Sequence, residues 1–292
     1  MIGVEWRMRS FRAFRIAADG TVRDRKASPR GVAQVPNGKF SDTLREEIGP
    51  WLAAGEERVV LAGMIGSRNG WLQTPYLGCP AGVPEIAEAL VDAPFPWAHV
   101  KLVPGLATTD EGGIPEVMRG EETRIAGTLD AVGARGLICL PGSQSKWARI
   151  AGGRIAGFAT WMTGEALAAL RTAPALGRMA RDTPTDLQAF DQGLARSVGQ
   201  GGLLHHLFGV RALALAGRLS EGAAPAYLAG LLVGHEVRYA LPPGAEVYLI
   251  GEPDLTALYA RAISACRGRP VAGPSEAVAR GLFLIGERAK WN

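Results

Sequence analysis

The stretch IGVEWRMRSFRAFRIAADGTVRDRKA, residues 2–27, decides the fold. Apolar and charged residues alternate through it with a period of two, so 2–6, 11–16 and 21–27 read as three short strands. Asp19-Gly20 lies between the second and third, and this pair is a strong hairpin signal because glycine reaches the positive φ that tight hairpin turns need. An arginine-rich turn joins the first two. The chain therefore opens with antiparallel strands.

Outward from this stretch, Ser41 can cap a helix that places Leu44, Ile48, Trp51 and Leu52 on one face, and 58–61 forms a buried strand running into a glycine-rich loop. Pro84 suits the first turn of a helix reaching 91, and 98–103 is a strand ending at Pro104-Gly105. The same grammar returns more loosely. A strand at 137–140 precedes a pair, 147–150 and 154–158, turned around Gly152-Gly153. Helices from 164 to about 241 are broken near Pro184, Gly201-Gly202 and Gly222, a strand follows at 246–250, and helix, strand and helix occupy 255–266, 270–272 and 276–288. Hairpins followed by alternating helices and strands, twice over, predict a duplicated α/β fold with two domains around a cleft. The glycine-rich stretch at 105–113 is the expected boundary, giving domains 1–107 and 108–292.

At 292 residues the chain is long enough for two such domains or one large one. Its 32 basic and 28 acidic residues are a mild imbalance, with no like-charge block or basic-aromatic stripe, so nucleic acid is not an expected partner. Cys79, Cys139 and Cys266 are far apart and form no CxxC pattern, which fits a reducing cytoplasm and no structural metal. The N-terminal residues lack the apolar core of a leader, and no apolar run approaches the roughly 20 residues that span a bilayer, so neither export nor a membrane is expected. His205-His206 and His235 have no carboxylate at ligand spacing and read as structural. The apolar run 226–233 reads as core, leaving a homodimer open.

The chemistry concentrates elsewhere. Met118-Arg119-Gly120-Glu121-Glu122-Thr123 opens a helix backed by Ile125, Ala126 and Leu129, and about twenty residues later comes Pro141-Gly142-Ser143-Gln144-Ser145-Lys146-Trp147. A cation, two carboxylates and a hydroxyl-rich loop in this order suit phosphoryl transfer; acidic charge favouring a first helical turn is the plainer alternative. Gly142 and Ser143 leave a strand in a turn whose backbone N–H groups can approach phosphate oxygens, while Lys146 either steadies a phosphate or solvates a strand end. Arg68 and Trp71 are substrate contacts or an exposed loop with one anchoring aromatic.

Together, Gly63-Met64-Ile65-Gly66-Ser67-Arg68-Asn69-Gly70-Trp71, Val117-Met118-Arg119-Gly120-Glu121-Glu122-Thr123, the block from Pro141 to Trp147, and Met162-Thr163-Gly164-Glu165 resemble the 2-dehydro-3-deoxygalactonokinase family in order and spacing, over nearly the whole chain. The resemblance implies an actin-like ATPase (ribonuclease H-like) fold that transfers the γ-phosphoryl group of ATP, with Mg2+, to the 6-hydroxyl of 2-dehydro-3-deoxy-D-galactonate. It implies Glu121 as general base, with Glu122 its rival, and Ser67, Arg68, Trp71 and Arg119 around the sugar acid. It places Gly142, Ser143, Ser145 and Lys146 on the phosphates, and Gly251 in the adenosine-side turn.

Where that family carries Asp-Trp-Gly-Thr-Ser, this chain has Glu5-Trp6-Arg7-Met8-Arg9-Ser10. Glu5 is then expected to hold magnesium through water, and Arg7 and Arg9 either contact phosphate or form a solvated hairpin turn. Gln144 replaces a common histidine, and Pro253 removes a donor from the adenosine-side turn. Two classes of function remain: an active sugar-acid kinase, or a non-catalytic sugar-acid-binding relative with a decayed nucleotide site.

Overall fold

The computed structural model describes residues 1–173 and 186–291, so the helix break expected near Pro184 lies outside the described residues. The chain forms two compact units, Met1–Gly136 with Ala148–Ala159 and Gly273–Asn292, and Leu137–Trp147 with Thr160–Ala272. The expected division at 107/108 falls inside the first of these.

In the first unit, β1 (Ile2–Trp6), β2 (Phe11–Ile16) and β3 (Val22–Ser28) form the antiparallel meander that the alternation predicts. Next come α1 (Phe40–Ala53) and β4 (Arg58–Gly63), which pairs parallel to β1. Every residue of β1 is buried, as a central strand requires, and Phe40, Leu44, Ile48 and Trp51 of α1 share its core. Trp6 anchors that core edge-on to Phe11 at 5.1 Å and to Phe40 at 5.9 Å.

The chain continues through β5 (Tyr76–Gly78), α2 (Val83–Glu88), β6 (Val91–Ala93) and β7 (His99–Leu102), completing a sheet of order β3-β2-β1-β4-β7-β6. The helix expected to reach Val91 stops at Glu88, because residues 91–93 pair antiparallel with β7. A second, three-stranded sheet joins β5, β8 (Gly105–Thr109) and β9 (Pro115–Met118). The glycines read as an interdomain boundary belong to its hairpin: Gly113 has φ 81°, and Asp110 Oδ1 accepts from the N–H groups of Gly112 and Ile114. After it come α3 (Glu121–Ala126) and α4 (Leu129–Val132).

Later strands β10 (Arg135–Leu140), β11 (Ser145–Ala151) and β12 (Arg154–Trp161) are followed by α5 (Thr163–Leu170), α6 (Leu187–Arg196), α7 (Gly202–Leu215) and α8 (Ala224–Ala240). Then come β13 (Glu246–Leu249), α9 (Pro253–Ala265), β14 (Arg269–Ala272) and α10 (Ala277–Arg288). Their sheet runs β12-β11-β10-β13-β14, with β10, β13 and β14 parallel. Both large sheets thus set three consecutive strands in reverse order beside a later parallel one, the signature of duplication read from the sequence. Most of 226–233 is buried in α8, as expected of core. His206 is also buried, bonded to His235 at 3.1 Å and to the Gln200 carbonyl at 2.9 Å, and no group of three or more potential ligands exists among the described residues.

Within the first unit, α10 positions α3. A Cβ on Gly281 would strike the Thr123 carbonyl, and one on Gly127 would strike that of Ala277, so backbones touch where these glycines face each other. Leu282 of α10 fills the space left open at Gly3 of β1. Gly281→Ala is therefore expected to push α3 off its seat and to cost about 2 kcal/mol or more, as overpacking does. Urea unfolding measures the loss, and kcat should fall with it.

Candidate active site

Three segments converge at the carboxyl ends of the neighbouring parallel strands β1 and β4, the edge where α/β sheets take ligands. A Cβ on Gly63, at the end of β4 with φ 99°, would lie 2.8 Å from the Trp6 carbonyl at the end of β1. One on Gly120, the residue before α3 with φ 103°, would lie 3.0 Å from the Gly63 Cα. Both positive φ values suit glycine alone, and its missing side chain allows the contact. The loop after β1, the loop after β4 and the start of α3 therefore share one place.

The loop after β4 is folded on itself, with the Thr74 N–H donating to the Gly66 carbonyl at 2.9 Å and the Trp71 N–H to that of Ile65 at 2.9 Å. Arg119 reaches into it. One Nη donates to Thr74 Oγ1, the other to the Thr74 carbonyl at 2.9 Å, and the guanidinium lies 4.4 Å over the Tyr76 ring. The guanidinium expected beside the sugar acid is thus engaged in holding the loop. Two buried polar atoms beside it have no protein partner, Arg119 Nε and Ser67 Oγ, and a buried group left unpaired is costly unless a ligand or water meets it. Arg68 is exposed and makes no ion pair among the described residues. Trp71 stands edge-on to Phe95 at 6.3 Å and packs on the first core, which gives its ring a structural duty.

The two carboxylates of α3 occupy different environments. Glu121 is half-buried, and its Oε2 accepts the Arg119 N–H at 3.0 Å. Glu122 has no exposed surface; its carboxyl meets the Gly120 N–H at 2.6 Å and Thr123 Oγ1 at 3.0 Å. Burial first, and then the neighbouring charge of Glu121, push Glu122 up to about 8, so it holds its proton at neutral pH. A group enclosed in this way cannot meet a substrate hydroxyl, which corrects the expectation that Glu122 rivals Glu121 as base.

Glu5 is 3% exposed and surrounded by cations. Its Oε1 accepts from Arg124 Nε at 2.9 Å, Arg124 Nη2 at 2.7 Å and Arg7 Nη2 at 3.0 Å, and its Oε2 accepts from Arg12 Nε at 2.9 Å. Magnesium at Glu5 does not fit this donor set. Both oxygens are committed to guanidinium N–H groups, and three positive charges repel a divalent cation. Arg9 is exposed in the hairpin turn, which is braced by Val32 and Ala33 N–H bonds to the carbonyls of Arg7 and Met8.

In the second unit, the turns after parallel strands β10 and β13 lie side by side. A Cβ on Gly251 would sit 3.6 Å from the Pro141 carbonyl, and the Ile250 N–H donates to the Cys139 carbonyl at 3.1 Å. Ser143 is exposed, and its carbonyl accepts from the Glu165 N–H at 2.8 Å. Pro253 opens α9 at its first turn, where the missing N–H costs no helical bond.

Ser145 departs from its expected phosphate contact. It is fully buried, with its hydroxyl 2.8 Å from Tyr259, which donates at 2.6 Å to Glu236, itself also held by Trp147 Nε1 at 2.8 Å. Burial raises Glu236 despite these bonds. Lys146 is likewise buried and donates to Thr160 Oγ1 at 2.9 Å, so its ammonium serves the strand pair rather than a solvated end.

Thr74, Tyr76, Arg12 and Arg124 were not foreseen. Arg12 had a signal, since it stands directly opposite Glu5 once the first hairpin is in register, and Arg124 lies one turn beyond Glu121 on α3. Thr74 and Tyr76 had none.

The model of the family described as 2-keto-3-deoxy-galactonokinase matches residues 5–285. The chain belongs to this family. It is 33% identical over 99% of its length, and 96% of the relative's, to the "Probable 2-dehydro-3-deoxygalactonokinase DgoK1" of Rhizobium meliloti (strain 1021). To the 2-dehydro-3-deoxygalactonokinase of Escherichia coli (strain K12) it is 32% identical, covering 93% of this chain and 92% of that one. A crystal structure from Sinorhizobium meliloti carrying the same functional designation as the first superposes with a TM-score of 0.88 at 32% identity, covering 97% of each chain. At 10% identity and a TM-score of 0.50, covering 98% and 92%, the ADPNP-bound activator of the 2-hydroxyisocaproyl-CoA dehydratase from Clostridium difficile shares the fold alone. Membership of the 2-keto-3-deoxy-galactonokinase family and these likenesses give the actin-like α/β fold that the sequence led us to expect.

Proposed function

We propose that this protein transfers the γ-phosphoryl group of ATP to the 6-hydroxyl of 2-dehydro-3-deoxy-D-galactonate. The observation that carries the reading is the meeting of the β1 loop, the β4 loop and the start of α3 at one sheet edge. Glu121 takes the proton of the acceptor hydroxyl as its oxygen bonds to phosphorus and the bond to the β-phosphate breaks, releasing ADP. Arg68, exposed and unengaged, meets the substrate carboxylate. Arg119 holds the loop through Thr74, and Ser67 Oγ with Arg119 Nε offers polar contacts to the sugar acid. In the second unit, Gly142, Ser143 and Gly251 are assigned to the nucleotide, where a close backbone approach suits phosphate and nucleoside.

The test measures thermal stabilisation separately with ATP plus magnesium and with the sugar acid, followed by a coupled assay for ADP. Substrate-dependent ADP is expected. Stabilisation by the sugar acid with no ADP would replace this reading by that of a non-catalytic binding protein.

A further inference from the structure

The cations around Glu5 outnumber the anion. Arg7, Arg12 and Arg124 each form an ion pair with Glu5, so three positive charges share one negative charge and two remain over. The side chains of Arg7, Arg12 and Arg124 are 37%, 34% and 13% exposed, while that of Glu5 is only 3% exposed. Each turns only part of its fork to the carboxylate: Nη1 of Arg12 and Nη1 of Arg124 make no hydrogen bond among the described residues. Long side chains with the same charge normally separate, and here a buried carboxylate holds them together in advance of any ligand. Guanidinium forks match the oxygens of phosphate in geometry and charge.

We propose that Arg7, Arg12 and Arg124 form a site for a phosphate group, and that Glu5 is their shared counter-ion rather than a magnesium ligand. The cluster stands at the end of β1, beside a turn of Arg7-Met8-Arg9-Ser10 that contains no glycine. The donors gathered there are side chains. The phosphate is either the terminal group of a nucleoside triphosphate or the free ion. The first of these rests on the kinase reading above; the binding itself does not.

Calorimetry and thermal shift in a chelating buffer, without sugar acid, test it with inorganic phosphate, ADP and a non-hydrolysable ATP analogue. Wild type is expected to bind phosphate without metal, and Arg12→Gln or Arg124→Gln should each weaken binding about ten-fold or more. Arg7→Gln, the most exposed of the three, keeps the test open if the others fail to fold. A terminal-phosphate site predicts that these changes weaken the ATP analogue and spare ADP; a free-ion site predicts that only phosphate is affected.

Glu5→Gln removes the counter-ion. It should lower Tm, and phosphate should then raise Tm further than in wild type, because the ligand supplies the missing negative charge. No metal-free phosphate binding, or binding indifferent to all three arginines, would overturn the site. So would stabilisation by magnesium alone that disappears in Glu5→Gln. Loss of ADP formation with phosphate binding intact would count against the kinase reading and leave this site standing.

Discussion

Glu121→Gln is expected to lower kcat by about 10²–10⁴-fold, the range that general-base catalysis supplies, while sugar-acid binding stays within a few-fold. The amide has nearly the shape of the carboxylate, and its oxygen can still accept the Arg119 N–H that Glu121 Oε2 receives at 3.0 Å. The start of α3 therefore keeps its form and loses only the ability to take a proton. Turnover by the coupled ADP assay and binding by calorimetry separate the two effects. Unchanged turnover would remove Glu121 as the base, and parallel loss of binding would make it a substrate contact instead.

Glu122→Gln acts on stability and does so with a pH signature. Burial and the adjacent Glu121 hold the folded-state value at about 8, above the 4.5 of an unpaired carboxyl. Between these values the native chain keeps a proton that the unfolded chain releases. Stability from this group is thus complete below about pH 4.5 and is lost as pH climbs through 8, at about 1.4 kcal/mol per unit and roughly 3 kcal/mol by pH 7. Glutamine has the form of the protonated acid and nothing to release. Relative to wild type, the variant should be little changed near pH 4.5 and more stable by up to about 3 kcal/mol at pH 7. Denaturant unfolding at several pH values reads this directly, and a difference independent of pH would show that Glu122 ionises normally.

What the sequence disclosed follows the range of the physics involved. The opening hairpins were legible because a two-residue period and Asp19-Gly20 are local signals, and Gly20 does take φ 84°. The three-stranded sheet was not, since Tyr76–Gly78 is too short to show alternation and its partner Gly105–Thr109 begins at a glycine that also resembles the start of a linker. Arg119, Glu121 and Glu122 could be nominated from their adjacency. The duty of Arg119 could not, because it is fixed by Thr74, 45 positions away, nor could the part of Arg124, which is fixed by Glu5, 119 positions away. Ser145 misled for the same reason: a hydroxyl after a glycine turn suggests phosphate, but its partner Tyr259 lies 114 residues further on.

The seating of α3 on α10 also orders events during synthesis. The ribosome completes the whole of Leu137–Trp147 and Thr160–Ala272 before residues 277–288 emerge, although those residues belong to the body begun at Met1. Until then the nascent chain has no Gly281 for Thr123 to rest against and no Leu282 to cover Gly3. This half of the molecule therefore cannot complete its native packing by vectorial folding from its first strands alone, because the contacts at Thr123 and Gly3 await residues 277–288.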